Sequence, residues 1–404
     1  MLLLACLPSA LLVAQTQPDD LPPDVKATDA PLGSRRIEFW NHTRKGTNAD
    51  GADTSDVWFR AAKVAGIEFV RLSVAEMQGK QRDFLIGNAD DWQGIPEGDL
   101  TQLVEVLDRA EQHGVRIVIT MFSLPGCRWK QKNNDKFDYR LWHDKKYHQA
   151  AAEFWATLAQ RLKGHPAIVG YNILNEPHPE RELGMEEPSA EYAKWRRGVQ
   201  GKAADINLFY KSVIGAIRRV DVGTPIVLDS CFHAHPDGLT SLRPVDDPAV
   251  LYSFHFYEPW NYTTFRVNKN RFAYPSRMPQ GWSGRTLKWE SEELSSRMDV
   301  VDAWAKRHAV PAKRVLVGEF GVSRRVEGAS QYLADTIAAI NQRDWHWAFY
   351  SFRSSTWDGM DYELGTQRLG QAYWEGRDAG RKHNDLIERK ANPLWDVISQ
   401  ELKK

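Results

Sequence analysis

Two apolar runs in this 404-residue chain each end on a glutamate: Tyr171-Asn172-Ile173-Leu174-Asn175-Glu176-Pro177 and Val315-Leu316-Val317-Gly318-Glu319-Phe320-Gly321. Both read as buried strands. A carboxylate held at the end of a buried strand is costly unless it is paired or has a chemical task. Two such carboxylates are what cleavage of a glycosidic bond requires: one protonates the leaving oxygen, and the other attacks the sugar carbon or activates water. Retention needs carboxyls about 5–5.5 Å apart and inversion about 6.5–9.5 Å, a gap that sequence does not measure.

The elements that must position the glutamates are eight β-like runs, near 36–40, 67–74, 115–121, 167–174, 225–229, 250–256, 314–319 and 346–352. Several are near-continuous Val, Ile, Leu and Phe, as in strands buried on both faces. Amphipathic helical spacing lies between many of them: Leu100 to Gln112, Tyr147 to Leu162, and Ile206 to Val220. Gly66, Gly114 and Gly223 fall where helix C-caps belong. Repeated strand–helix alternation predicts an α/β fold, a (β/α)8 TIM barrel forming a single catalytic domain. A doubly wound sheet would carry a glycine-rich turn after its first strand, and none is present. Strand C-termini form the mouth of a barrel, which places Glu176 and Glu319 there. The aromatic segment 257–300, with Trp260, Tyr262, Phe265, Phe272, Tyr274 and Trp282, is expected to wall the cleft.

At this point a family resemblance becomes specific. Over roughly residues 35 to 365 the chain resembles glycoside hydrolase family 5, the cellulase-like retaining β-glycosidases of the (β/α)8 clan. The resemblance implies that Glu176 of Asn-Glu-Pro is the acid/base, that Glu319 of Gly-Glu-Phe-Gly is the nucleophile, and that Asn175 contacts the sugar 2-hydroxyl. It further implies that Arg71, in Phe69-Val70-Arg71-Leu72, keeps Glu319 ionised. From His255-Phe256-Tyr257, the tyrosine would hydrogen-bond the nucleophile and the histidine would lie near the acid/base. Two positions depart from the pattern. Phe122 stands where a histidine follows the third strand, and Tyr350 stands where the eighth strand supplies a tryptophan floor, with Trp357 nearby as a substitute. Both touch sugar recognition and weaken cellulose as substrate. Trp40, Trp129, Trp260 and Trp357 follow or end strands, and two of the four are expected to touch sugar, although most tryptophans in a chain holding 16 are core.

Composition narrows the alternatives. Lys+Arg and Asp+Glu are equal at 53 each, which gives no basic field for nucleic acid. No Gly-x-Ser-x-Gly marks a serine esterase, and no Cys/His spacing reads as a zinc site; His233-Ala234-His235 reads as part of a polar loop. Neither metal nor organic cofactor is expected. Residues 1–14 are apolar and resemble a signal-peptide core, too short to span a bilayer. Leu3-Leu4-Ala5-Cys6 also fits a lipoprotein box that would anchor lipid at Cys6, with ordinary cleavage near Ala14 as the alternative. Residues 15–34 read as a lead-in rich in Pro, Asp and Thr, and 35–404 as the catalytic domain. Cys127 and Cys231 allow one disulfide.

The expectation is therefore an exported, monomeric retaining glycosidase, periplasmic, secreted or lipid-anchored, acting on a β-linked glucan, mannan or related oligo- or polysaccharide. Transglycosylation on the same scaffold, or a non-catalytic carbohydrate-binding barrel, are the rival readings.

Overall fold

The computed structural model describes residues 34–186, 189–280, 285–355 and 358–404. Residues 1–33, Trp282 and Trp357 lie outside them, and with them the signal, Cys6 and most of the lead-in.

Eight parallel strands close a barrel: β1 (Lys45–Asp50), β2 (Phe69–Ser73), β3 (Arg116–Thr120), β4 (Ile168–Asn172), β5 (Ile226–Asp229), β6 (Val250–Phe256), β9 (Val315–Phe320) and β10 (His346–Phe349), with β10 pairing back onto β1. Two further strands, β7 (Ser276–Pro279) and β8 (Thr286–Trp289), form a separate antiparallel hairpin between β6 and β9. Helices follow most strands, including Asp56–Ala65, Glu97–Gln112, Lys145–Leu162, Ile206–Arg218, Asp299–Arg307, Ala329–Gln342 and Pro393–Leu402. Each buries an apolar stripe; on Lys145–Leu162 it is Ala151, Phe154, Trp155, Leu158 and Leu162. The alternation lapses after β5, where only the turn Cys231–Ala234 and the 3-10 helix Pro236–Ser241 precede β6.

Seven of the eight strand expectations overlap barrel strands. The first does not. Residues 36–40 fall in the short helices Ser34–Glu38 and Phe39–Asn41, and the first strand is the polar run Lys45–Asp50. That strand is unrecognisable by hydropathy because its barrel positions need small or polar side chains: a Cβ at Gly46 would lie 2.5 Å from the Phe69 carbonyl oxygen. Trp40 therefore ends no strand. It is wholly buried at the foot of the barrel among Phe69, Val118, Val169, Val227, Leu251, Leu316 and Ala348, and its indole donates to the Val169 carbonyl at 2.8 Å. It is a plug remote from the cleft, not a sugar platform. Gly66 does end a helix with φ 90°, and Gly114 has φ 66°. Gly223 does not cap; there the Asp221 carboxylate accepts from the backbone of Gly223 and Thr224.

Period-2 alternation carries the interior from apolar to polar. Phe69, Val227 and Leu251 belong to the floor cluster. Two residues further along the same strands stand Arg71, Asp229 and Ser253, and His255 follows Ser253 by two more. Of the aromatic residues of the 257–300 segment, Tyr262 and Tyr274 are buried, their rings meeting that of Tyr332 within 6.0 Å, Phe265 and Phe272 are half-buried, and Trp260 is exposed.

Candidate active site

The polar ends of the strands converge on one guanidinium. Arg71, 1 % exposed, donates from Nε to Asn172 Oδ1 (2.8 Å), from Nη1 to Asn48 Oδ1 (3.2 Å) and Glu319 Oε1 (2.6 Å), and from Nη2 to Asn175 Oδ1 (2.7 Å) and Asp229 Oδ2 (2.8 Å). A planar fork of five N–H groups is suited to tie five strand ends together in this way.

Glu319 reaches the site through a register shift. Phe254 pairs with Val317 but His255 pairs with Glu319, so Gly318 is an extra residue on β9 and the glutamate is turned inward. Gly318 has no room for a side chain, because a Cβ would sit 2.5 Å from Ser253 Oγ. The second oxygen of Glu319 accepts from the Tyr257 hydroxyl at 2.9 Å.

Glu176 follows β4 and adopts φ 50°, a left-handed conformation that costs a non-glycine residue energy and is held by its neighbours. Its backbone N–H donates to Asp229 Oδ2 at 3.3 Å, and its carbonyl is 2.6 Å from His178 Nδ1. Its Oε1 lies 2.9 Å from His255 Nδ1, which is itself 3.7 Å from Glu319 Oε2. One oxygen of each glutamate lies within 4.8 Å of the other.

The two carboxyls differ in their electrostatics. Burial pushes Glu176 well above the usual carboxyl range, and the charge of Glu319 adds to that. Burial raises Glu319 too, but Arg71 and the Tyr257 hydroxyl pull it back. A shared proton therefore belongs on Glu176. Burial, then the charge of Arg71, holds His255 far below its usual range, so the imidazole is neutral. A neutral ring can donate to ionised Glu176 or accept from protonated Glu176 through the same Nδ1.

Glu176, His255 and Glu319 also offer three donor atoms at metal-like spacing. Both oxygens of Glu319 are already hydrogen-bonded, and Arg71 places a positive charge against it. The donor set is that of a carboxylate pair with its supports, and it does not fit a cation.

The structure gathers Arg71, Asn175, Glu176, His255, Tyr257 and Glu319 at one mouth. Asn175 spends its oxygen on Arg71, and its amide nitrogen has no hydrogen bond among the described residues. Tyr350 is half-buried, and burial together with the charges of Glu319, Asp50 and Glu176 drives its hydroxyl well up. Phe122 packs edge-on to Trp129 at 5.1 Å, both half-buried. Trp260 is 45 % exposed, with its ring 6.5 Å from that of Tyr257. Cys127 and Cys231 are both free and buried.

Two site residues escaped the sequence reading. Asp229 ends β5, as Glu319 stands next to last in β9 and Glu176 follows β4, so the signal was an apolar run closing on a carboxylate. His233 lies on a turn in which Phe232, His233 and Ala234 all have positive φ. It stacks on His178 at 4.2 Å and comes 3.9 Å from Glu176 Oε2. The only local signal was the His233-Ala234-His235 pair, read as part of a polar loop, and nothing in it points to Glu176.

A family model described as cellulase (glycosyl hydrolase family 5) matches residues 25–356. An endoglucanase C of Acetivibrio thermocellus is 24 % identical over 324 residues, covering 74 % of this chain and 82 % of that protein. A beta-xylosidase of Phanerodontia chrysosporium is 23 % identical over 327 residues, 76 % of this chain and 61 % of that one. Among solved structures, Cel5A of Thermotoga maritima in complex with cellobiose superposes with a TM-score of 0.59 at 18 % identity, covering 90 % of this chain and 99 % of the other, a likeness of fold.

Proposed function

The chain belongs to glycosyl hydrolase family 5 and is a glycosidase, and on that premise we propose that it is an exported, retaining enzyme acting on a β-linked glucan, mannan or related glycoside. The observation that carries the reading is the glutamate pair, with oxygens within 4.8 Å. That approach falls nearer the about 5–5.5 Å separation of retaining pairs than the about 6.5–9.5 Å of inverting ones, and it favours direct attack.

In this mechanism Glu319, ionised beside Arg71, attacks the anomeric carbon. Glu176, carrying the proton, gives it to the departing oxygen as the glycosidic bond breaks. The second half runs in reverse: Glu176, now ionised, removes a proton from water, and the hydroxide displaces Glu319 from the sugar. The Asn175 amide, anchored by Arg71, is free to donate to the sugar 2-hydroxyl, a contact that gains strength as the transition state forms. Trp260 and Trp129 supply apolar faces for further sugar units. Export rests on the apolar residues 1–14. Among the described residues no helix is long and apolar enough to cross a membrane.

The test is a panel of β-glucans, mannans, xyloglucan and aryl β-glycosides, reading product size and the anomeric configuration of fresh product. Retained β-products support the reading and name the sugar. An inverted product, or full turnover by Glu319→Gln on an activated aryl glycoside, would refute it.

A further inference from the structure

Beneath the two glutamates lies a third carboxylate that the mechanism above does not use. Asp229 is wholly buried. Its Oδ2 takes the Arg71 guanidinium at 2.8 Å and the Glu176 backbone N–H at 3.3 Å, and lies 3.5 Å from His255 Nε2; its Oδ1 accepts from Asn172 Nδ2 at 3.3 Å. Resting on the glycosidase reading, we propose that Asp229 is a positioning residue: it anchors Arg71 and the backbone of Glu176 from below, lies against the His255 ring, and so sets how firmly the glutamate pair holds its proton.

First, Arg71 is shared. Its cation faces Glu319 on one side and Asp229 on the other, so the ion-paired cluster of Arg71, Asp229 and Glu319 has net charge −1. Without Asp229 the whole charge of Arg71 would act on the glutamates. Second, when protonated Glu176 donates to His255 Nδ1, the ring proton must sit on Nε2, a buried atom without a hydrogen bond among the described residues that lies 3.5 Å from Asp229 Oδ2, close enough for its charge to act. Asp229 thereby favours the tautomer that accompanies a protonated Glu176. Third, the Glu176 N–H is held by Asp229 while the residue stays at φ 50°.

The titratable groups around the pair come from every neighbouring element. Glu176 is faced by Arg71 from β2, Glu319 from β9, His255 from β6 with Tyr257 after it, Tyr350 after β10, and His233 on the turn after β5. Asp229 is faced by Arg71 and His255, and the Tyr210 hydroxyl, from helix Ile206–Arg218, donates to its carbonyl at 2.7 Å. The negative charge of Asp229 acts to raise both glutamates. Removing it must make both more acidic.

The experiment is the pH dependence of kcat/KM for the intact protein and for Asp229→Asn, Asp229→Ser and Asp229→Glu. The probe is p-nitrophenyl β-cellobioside, or whichever aryl β-glycoside of the panel the intact protein cuts. For Asp229→Asn we expect both limbs of the bell to move toward acid by about one pH unit, with Asp229→Glu returning them toward the parent. Asp229→Ser, which leaves space for water beside Arg71, serves if the amide does not fold. A rate that falls evenly at every pH with unmoved limbs would overturn the inference while leaving the glycosidase reading intact. So would unfolded circular dichroism spectra for both uncharged variants beside a folded Asp229→Glu, which would make Asp229 a structural counter-charge. If the intact protein cut nothing, the functional reading would fall first, and this inference with it.

Discussion

Arg71 and Glu319 form a 2.6 Å ion pair between side chains that are 1 % and 7 % exposed. The pair joins β2 to β9 across the closed barrel, and the same guanidinium grips Asn175 and Asp229. Substitution at Arg71 therefore strikes fold and chemistry together. Arg71→Met should lower stability by about 3–5 kcal/mol, because it leaves buried carboxylates uncompensated. Thermal melts and residual kcat on the preferred substrate check this. A variant with unchanged Tm and full turnover would contradict the pairing.

Tyr257 offers a cleaner cut, since its hydroxyl donates one 2.9 Å bond to Glu319 Oε2. Tyr257→Phe removes a hydrogen bond to a charged acceptor, worth about 1.5–3 kcal/mol. The expected loss is about 10- to 100-fold in kcat, with the acid limb of the pH profile moving upward because Glu319 loses a contact that favours its ionised form. An unchanged acid limb would count against the assigned role.

Glu180 makes stability depend on pH. Burial pushes its carboxyl up to about 8, and among the described residues only Oε1 is hydrogen-bonded, accepting from Phe232 N–H at 2.9 Å. A carboxyl raised on folding contributes stability that is fully present below its unfolded pKa and is lost as pH rises through its folded one. The chain should thus lose on the order of a few kcal/mol between about pH 4.5 and about pH 8 from this group. Glu180→Gln, which cannot ionise, should show a Tm advantage that widens over that window and then levels off. Parallel melting curves across the range would refute it.

Two tryptophans should behave oppositely. Trp40→Ala empties the barrel floor and should cost about 3–5 kcal/mol, with kcat normal wherever the variant remains folded. Trp260→Ala removes an exposed ring and should leave Tm within about 1 °C of the parent. Its kcat/KM on a polymer should drop roughly 3- to 10-fold, with little change on a short aryl glycoside. Equal losses on both substrates would argue against a platform role.

The buried thiols should be inert. Burial drives Cys127 up to about 12 and Cys231 well above its ordinary range. Peptide mapping after alkylation should find both unmodified in the native protein and both labelled after denaturation. A Cys127–Cys231 crosslink in the native protein would contradict the structure.

The two glutamates were legible because each closes an apolar run, and a buried β-strand writes its burial directly into local sequence; Arg71 and the His255-x-Tyr257 pair were singled out by the family resemblance. β1 was not legible: its interior positions are Gly46, Asn48 and Asp50, and the stronger apolar run just before it, ending in Trp40, belongs to the plug. Asp229 carried the same local signal as Glu176 but no second motif to single it out. His233 was seen only as half of a weak histidine pair, because its place beside Glu176 depends on a left-handed turn held by Glu180, a residue on another loop.

By itself, the sequence determined the barrel, the two carboxylates and their chain order, since strand period and terminal residue are local properties of a run. Tertiary structure alone decided the rest: the gap between Glu176 and Glu319, the sharing of Arg71 between Asp229 and Glu319, and the burial that puts the proton on Glu176. Those depend on closure of the barrel, which brings the ends of β2, β4, β5, β6 and β9 within hydrogen-bonding reach, and on a one-residue shift at Gly318 that turns Glu319 inward. Distance and desolvation arise between strands far apart in the chain, and no local pattern records them.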